Sequence, residues 1–127
     1  MDRVILRHVR GSKANQVDEY SRATFRVLLL GRDPHADVCF AGAADRRVSR
    51  RHALMACDET NPDHFIITDL QSRNGTYVNG ERITGVRSLV PGDRIQFGED
   101  GPEIEFDLVP SPGATSLATR RMIARPS

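Results

Sequence analysis

Asp69-Leu-Gln-Ser-Arg-Asn-Gly-Thr-Tyr-Val-Asn-Gly80 sets two Asn-Gly pairs five residues apart. Asn-Gly is the strongest short-range turn signal, because both residues accept positive φ at little cost. Between the turns only Thr76, Tyr77 and Val78 remain, enough for one short strand. Tight turns set among Ser72, Arg73, Asn74 and Thr76 present polar groups from a loop, and loops held by a scaffold are where binding residues concentrate. The stretch therefore reads as a turn, strand and turn of a β protein and as one wall of a binding site.

Working outward, the rest of the chain also reads as strands. Val4-Ile5-Leu6 to Val9 ends at Gly11, and the longer run Ala23–Leu30 stops at Gly31. Asp37–Phe40, Ala53–Cys57 and Phe65–Asp69 lead into the opening stretch, while Leu89-Val90, Arg94–Phe97 and Glu103–Val109 follow it. The last of these alternates charged residues with Ile104, Phe106 and Leu108, the period of a half-buried strand. Gly or Pro punctuates the chain about every ten residues, the spacing of a sandwich or barrel. No window before residue 110 sustains a helical period, so the fold class is all-β. At Pro110-Ser-Pro-Gly113 the composition changes. Residues 1–110 are expected to form the domain and 111–127 a linker or tail. Ala114, Leu117, Ala118 and Met122 fall near one helical face, which leaves a disordered tail and a short helix both open.

Composition restricts what such a site serves. The chain has 127 residues, 39% hydrophobic and 28% charged, with no tryptophan, which fits one domain of ordinary size. Seventeen of the 18 basic residues are arginine, the side chain whose planar fork suits carboxylate and phosphate. A net charge of +1 argues against a general nucleic-acid binder. Residues 1–20 hold no apolar run resembling a signal peptide or membrane span, so a cytoplasmic location is expected. Cys39 and Cys57 lack a Cys-x-x-Cys or His/Cys context and read as buried small hydrophobes. His8, His35 and His64 have no ligand-like spacing and read as surface residues; no metal site is expected.

Three loops carry hydrogen-bond donors. Gly31-Arg32 closes the longest apolar run, delivering an arginine to the sheet edge. Val48-Ser49-Arg50-Arg51-His52 offers a hydroxyl, two guanidinium groups and an imidazole able to brace the loop. The third is residues 69–80. If the three converge on one end of a sandwich, the ligand that suits them carries a charge near −2 and several acceptor oxygens, as a phosphorylated side chain does. Catalysis is not indicated: Ser49 and His52 have no supporting acid or nucleophile elbow. Gly75–Gly80 has the spacing of a phosphate-binding Walker loop, but Glu81-Arg82 stands where Lys-Ser/Thr is required. Two other readings stay open, a nucleic-acid-binding β domain and a structural, self-associating sandwich. The first calls for stacking aromatics on a basic stripe, and the chain has only seven Phe and Tyr residues, mostly at strand-core positions.

In order and spacing, Gly31-Arg32, Asp37-Val38, Ser49-Arg-Arg-His52, residues 69–80, Gly92-Asp93-Arg-Ile95 and Gly98 resemble the forkhead-associated (FHA) domain, over about residues 4–109. The resemblance implies a β-sandwich of about eleven strands, without catalytic activity or cofactor. It further implies that loops at one end bind phosphothreonine on a partner protein, downstream of a Ser/Thr protein kinase. Carried over by position, Arg32 and Ser49 are expected on the phosphate, with Arg50 and Arg73 at neighbouring contact positions and Asn74 fixing the peptide backbone. Gly31, His52 and Gly75 are expected to shape the loops, and Asn79 to support its turn. Arg47, just ahead of Ser49, is the expected reader of an acidic residue three positions after the phosphothreonine. Gln71 departs from the family, which often has glycine there, and this puts the local turn geometry in question. No membrane or nucleic-acid partner is expected.

Overall fold

The alternation in residues 103–109 is realised as a strand whose Ile104, Phe106 and Leu108 are buried while the residues between them are half exposed. The same period-2 logic sets the other strands. In a computed structural model, which describes residues 3–58, 60–61 and 64–110, eleven strands run in chain order. They are β1 (Arg3–Arg10), β2 (Val17–Ser21), β3 (Val27–Gly31), β4 (Val38–Cys39), β5 (Ala53–Cys57), β6 (Phe65–Asp69), β7 (Thr76–Val78), β8 (Glu81–Arg82), β9 (Val86–Leu89), β10 (Arg94–Phe97) and β11 (Glu103–Val109). One sheet has the order β2-β1-β11-β10-β7-β8 and the other β4-β3-β5-β6-β9. All pairings are antiparallel except β3 with β4.

Two chains of aromatic contacts fill the space between the sheets. One links His8, Phe40, Phe97 and His52, with Phe40 and Phe97 centroids 5.0 Å apart. The other links Tyr20, Phe25, Phe65 and Phe106, with Phe65 and Phe106 at 5.3 Å. Leu6, Leu30, Met55, Ile67 and Ile95 close the core around them.

Register fixes which loops share an end. Phe97 faces Thr76, Leu30 faces Ala53 and Ala53 faces Asp69. Gly31, His52, Leu70 and Gly75 therefore emerge together. Arg3 lies between Ser21 and Val109 on neighbouring strands, so both ends of the described chain leave at the opposite end.

Four strands differ from the sequence reading. β2 and β8 were not anticipated, because Val-Asp-Glu-Tyr-Ser and Glu-Arg carry too few apolar residues to signal a strand; both are sheet edges, where a polar strand is tolerated. β3 starts only at Val27, since residues 22–24 turn. β9 lies three residues earlier than Leu89-Val90 suggested, and Val90 is left exposed. His8 is buried, not on the surface, with its Nε2 2.8 Å from Asp18 of β2. Cys39 and Cys57 are unbridged thiols and only half-buried. No helix among the described residues is long and apolar enough to cross a membrane. The expected tail, residues 111–127, lies outside the described residues.

Candidate functional site

Gly31 ends β3 where the chain of the next loop comes closest. A Cβ there would overlap the Arg50 carbonyl, so only glycine admits this approach. The approach is stitched by backbone bonds from Arg32 N–H to the Ser49 carbonyl (3.0 Å) and from Asp33 N–H to the Arg50 carbonyl (3.1 Å). The Arg32 side chain is exposed, yet its Nε–H donates to the Val48 carbonyl at 2.6 Å. That bond fixes the guanidinium while leaving both terminal nitrogens for a ligand.

His52 sits at the junction of two loops and is fully buried. Its Nδ1 accepts the Ser49 N–H at 3.0 Å, so the ring proton is on Nε2, which donates to the Gly75 carbonyl at 2.7 Å. Burial lowers the His52 pKa below the ordinary histidine value, against opposing pulls from the Gly75 carbonyl and the Asp69 carboxylate. The neutral imidazole thus joins the Ser49 loop to the Gly75 loop. Ser49 Oγ in turn accepts the Arg73 N–H at 3.1 Å. Its hydroxyl hydrogen is left to donate outward.

Residues 69–76 are braced by one carboxylate. Asp69 accepts from the Ser72 hydroxyl (2.6 Å), the Thr76 hydroxyl (2.8 Å) and the Ser72 N–H (3.3 Å), and the Ser72 oxygen takes the Gly75 N–H at 3.0 Å. Gln71 adopts φ 58°, the left-handed conformation that a glycine would reach without strain. Asn74 projects from this frame and gives one amide hydrogen to the Arg47 carbonyl at 2.9 Å. Its second amide hydrogen and its oxygen remain available to a peptide backbone. Gly98, after β10, bonds the same Gly75 carbonyl at 2.8 Å and packs against Arg47 and Asn74.

The structure thus brings Gly31, Arg32, Arg47, Ser49, Arg50, His52, Arg73, Asn74 and Gly75 to one end. Asn79 is elsewhere. It occupies the β7–β8 turn at φ 52°, bonded to Asp93 at 2.9 Å and to the Arg94 N–H at 2.9 Å, on the far side of the sandwich. Arg50 is partly engaged, 3.6 Å from Asp33. Arg46, Arg47, Arg51, Arg73 and Arg82 are exposed and have no acidic partner among the described residues. Asp69 and Arg82 escaped the sequence reading of the site. Asp69 lay inside the quoted stretch but looked like the end of a strand, and Arg82 belongs to the unanticipated β8. Among the described residues no group of three or more His, Cys, Asp or Glu is placed to hold a metal ion.

A β-sandwich with a donor-lined loop cluster at one end is a binding domain in architecture. Residues 28–98 match the FHA domain, and the chain belongs to that family. Glycogen accumulation regulator GarA of Mycobacterium tuberculosis is 36% identical over 73 residues, covering 58% of this chain and 41% of that protein. Vacuolar protein sorting-associated protein 64 of Saccharomyces cerevisiae is 44% identical over 61 residues, covering 46% of this chain and 10% of that protein. The chain thus spans less than half the length of either relative. A solved FHA domain, studied for phosphothreonine-dependent FHA interactions, superposes with a TM-score of 0.68 at 28% identity, covering 86% of this chain and 99% of that one.

Proposed function

We propose that the chain is a non-catalytic module that recognises phosphothreonine on a protein partner through the loops following β3, β4 and β6, in Ser/Thr kinase-linked signalling within the cytoplasm. The observation that carries this is the set of donors left over once the loops have bonded to one another. Arg32 keeps its terminal nitrogens, Ser49 its hydroxyl hydrogen and Asn74 one amide hydrogen, all on backbone that is already fixed. Preorganised donors of this kind suit a dianion with three acceptor oxygens. The relative studied for phosphothreonine-dependent interactions supports the same reading. A Ser-His catalytic pair is disfavoured by the bonds of His52, which are spent on the Ser49 N–H and the Gly75 carbonyl and not on the Ser49 hydroxyl. Arg47 remains the proposed reader of an acidic residue three positions after the phosphothreonine.

Calorimetric titration with phosphothreonine peptides selected from a library, alongside their unphosphorylated forms, tests the proposal. Binding is expected only for the phosphorylated peptides. Arg32→Ala and Ser49→Ala are each expected to weaken it about tenfold or more with the circular dichroism spectrum unchanged, since a charge-assisted hydrogen bond contributes ~1.5–3 kcal/mol. Unchanged affinity in both variants would sink the assignment. Binding to single-stranded DNA that falls steeply with salt would favour the nucleic-acid reading instead.

A further inference from the structure

The last arginine at the recognition end comes from an edge strand that the three loops do not include. Arg82 on β8 faces Tyr77 in the β7–β8 ladder, and the Ile83 N–H bonds the Thr76 carbonyl at 2.9 Å, so its backbone is held by the sheet. Its side chain lies back over Gly75. A Cβ on Gly75 would stand 2.7 Å from Arg82 Nε and 2.9 Å from Cζ. Gly75 has φ 89°, and the absent side chain leaves the space that the guanidinium occupies.

Nothing acidic among the described residues neutralises this group. Glu81, its neighbour on the strand, is paired with Arg87 at 2.8 Å and, by strand alternation, points to the other face. Asn74 therefore neighbours two arginines that have no acidic partner among the described residues. On the inner side, Arg47 lies against Asn74 and Gly98; on the sheet edge, Arg82 lies against Gly75. A planar guanidinium carried on a backbone held by the sheet, with no acidic partner among the described residues, is suited to bidentate recognition of a carboxylate.

We propose, building on the phosphopeptide reading above, that Arg82 is a specificity residue of the site, binding an acidic side chain on the peptide segment that passes from Asn74 across the β7–β8 edge. It acts at a different peptide position from Arg47, because Arg82 comes from the β8 edge over Gly75, whereas Arg47 stems from the β4–β5 loop, where its carbonyl holds the Asn74 amide. An acidic side chain on this segment offsets the uncompensated charge of Arg82, so charge complementarity selects partners as well as strengthening binding.

The test uses a peptide series with a central phosphothreonine flanked by alanines, in which a single glutamate is walked through the flanking positions. Affinities are measured for the unmodified protein, Arg82→Gln and Arg47→Ala at low and high ionic strength. Besides the third position assigned to Arg47, one glutamate position is expected to strengthen binding about two- to fivefold at low salt, the range of an exposed ion pair. That gain should vanish in Arg82→Gln, persist in Arg47→Ala and fade at high salt. The all-alanine phosphopeptide should bind Arg82→Gln as well as it binds the unmodified protein. An equal loss for acidic and neutral peptides would show that Arg82 only props up the Gly75 loop and would overturn the inference, as would a series in which no glutamate position other than the third after the phosphothreonine loses its gain in Arg82→Gln. If the unmodified protein binds no phosphopeptide at all, the phosphopeptide reading fails and the inference falls with it.

Discussion

His52 carries a single ring proton between two loops, and its protonation state governs the site. A second proton on Nδ1 would set N–H against the Ser49 N–H and break the link to that loop. Because burial lowers its folded-state pKa, the native protein takes up this proton at a lower pH than the unfolded chain does. The stabilisation is therefore fully present above the ordinary histidine value and is lost as pH falls through the lowered one. Urea midpoints are expected to drop over that acidic window in the unmodified protein and to drop less there in His52→Gln; identical pH profiles would remove His52 from this role. Gln71 offers the opposite test. A non-glycine residue in the left-handed region costs ~1–2 kcal/mol, and glycine's extra chain entropy returns about half of that. Gln71→Gly should raise stability by up to ~1 kcal/mol in urea denaturation, and a clear loss would mean that the Gln71 side chain contributes contacts that outweigh the strain. The phosphorylated residue has its own signature. Burying the extra methyl of phosphothreonine contributes ~0.8 kcal/mol, so matched phosphoserine peptides should bind a few-fold more weakly, or weaker still if the methyl fixes a rotamer. Equal affinities would contradict the proposal.

At the scale of elements, the segment from the end of β6 to the start of β7 is held by Asp69 more than by its one glycine, Gly75. Asp69→Ala strips partners from the fully buried Thr76 hydroxyl and from Ser72. An orphaned buried hydroxyl costs about 1–3 kcal/mol, and both stability and phosphopeptide affinity should fall. Unchanged values for both would show that the loop holds its shape without the carboxylate. The same segment shows what the sequence made legible. Ala53–Cys57, Phe65–Asp69, Thr76–Val78, Arg94–Phe97 and Glu103–Val109 were readable to the residue, because apolar runs there end at Gly, Pro, Asn or Asp. β2 and β8 were invisible: an edge strand needs only a ladder of backbone bonds from one neighbour, and its side chains carry no compulsory pattern. Arg82 stayed hidden for that reason, since its closeness to Gly75 arises from pairing across the β7–β8 turn. The donors at Arg32, Ser49 and Asn74 were readable through their motifs, but the bonds that use up part of each were not. Those depend on carbonyls of Val48 and Arg47 that only the folded chain brings near.

Over the whole molecule, recognition loops and core are one packed object. Phe97 is fully buried, with its ring 5.3 Å from His52 and 5.0 Å from Phe40, directly beneath the loops. Truncating such a ring typically costs ~3–5 kcal/mol, so Phe97→Leu, a milder change, should lower stability and also weaken phosphopeptide binding by letting His52 shift. A core change at the other end, Phe106→Leu, should lower stability without that loss of affinity once measured well below the unfolding transition. Equal effects on affinity would show that the two aromatic chains are not separate in function. The pairing of Arg3 with Val109 has a mechanical side. These two ends of the described residues lie on adjacent antiparallel strands, so a pull between them does not shear β1 along β11. It opens their ladder from the Arg3–Val109 rung inward, one rung after another, and a domain tethered at both ends yields to modest force as a zipper does. The loops at the far end of the sandwich are the last to feel that load.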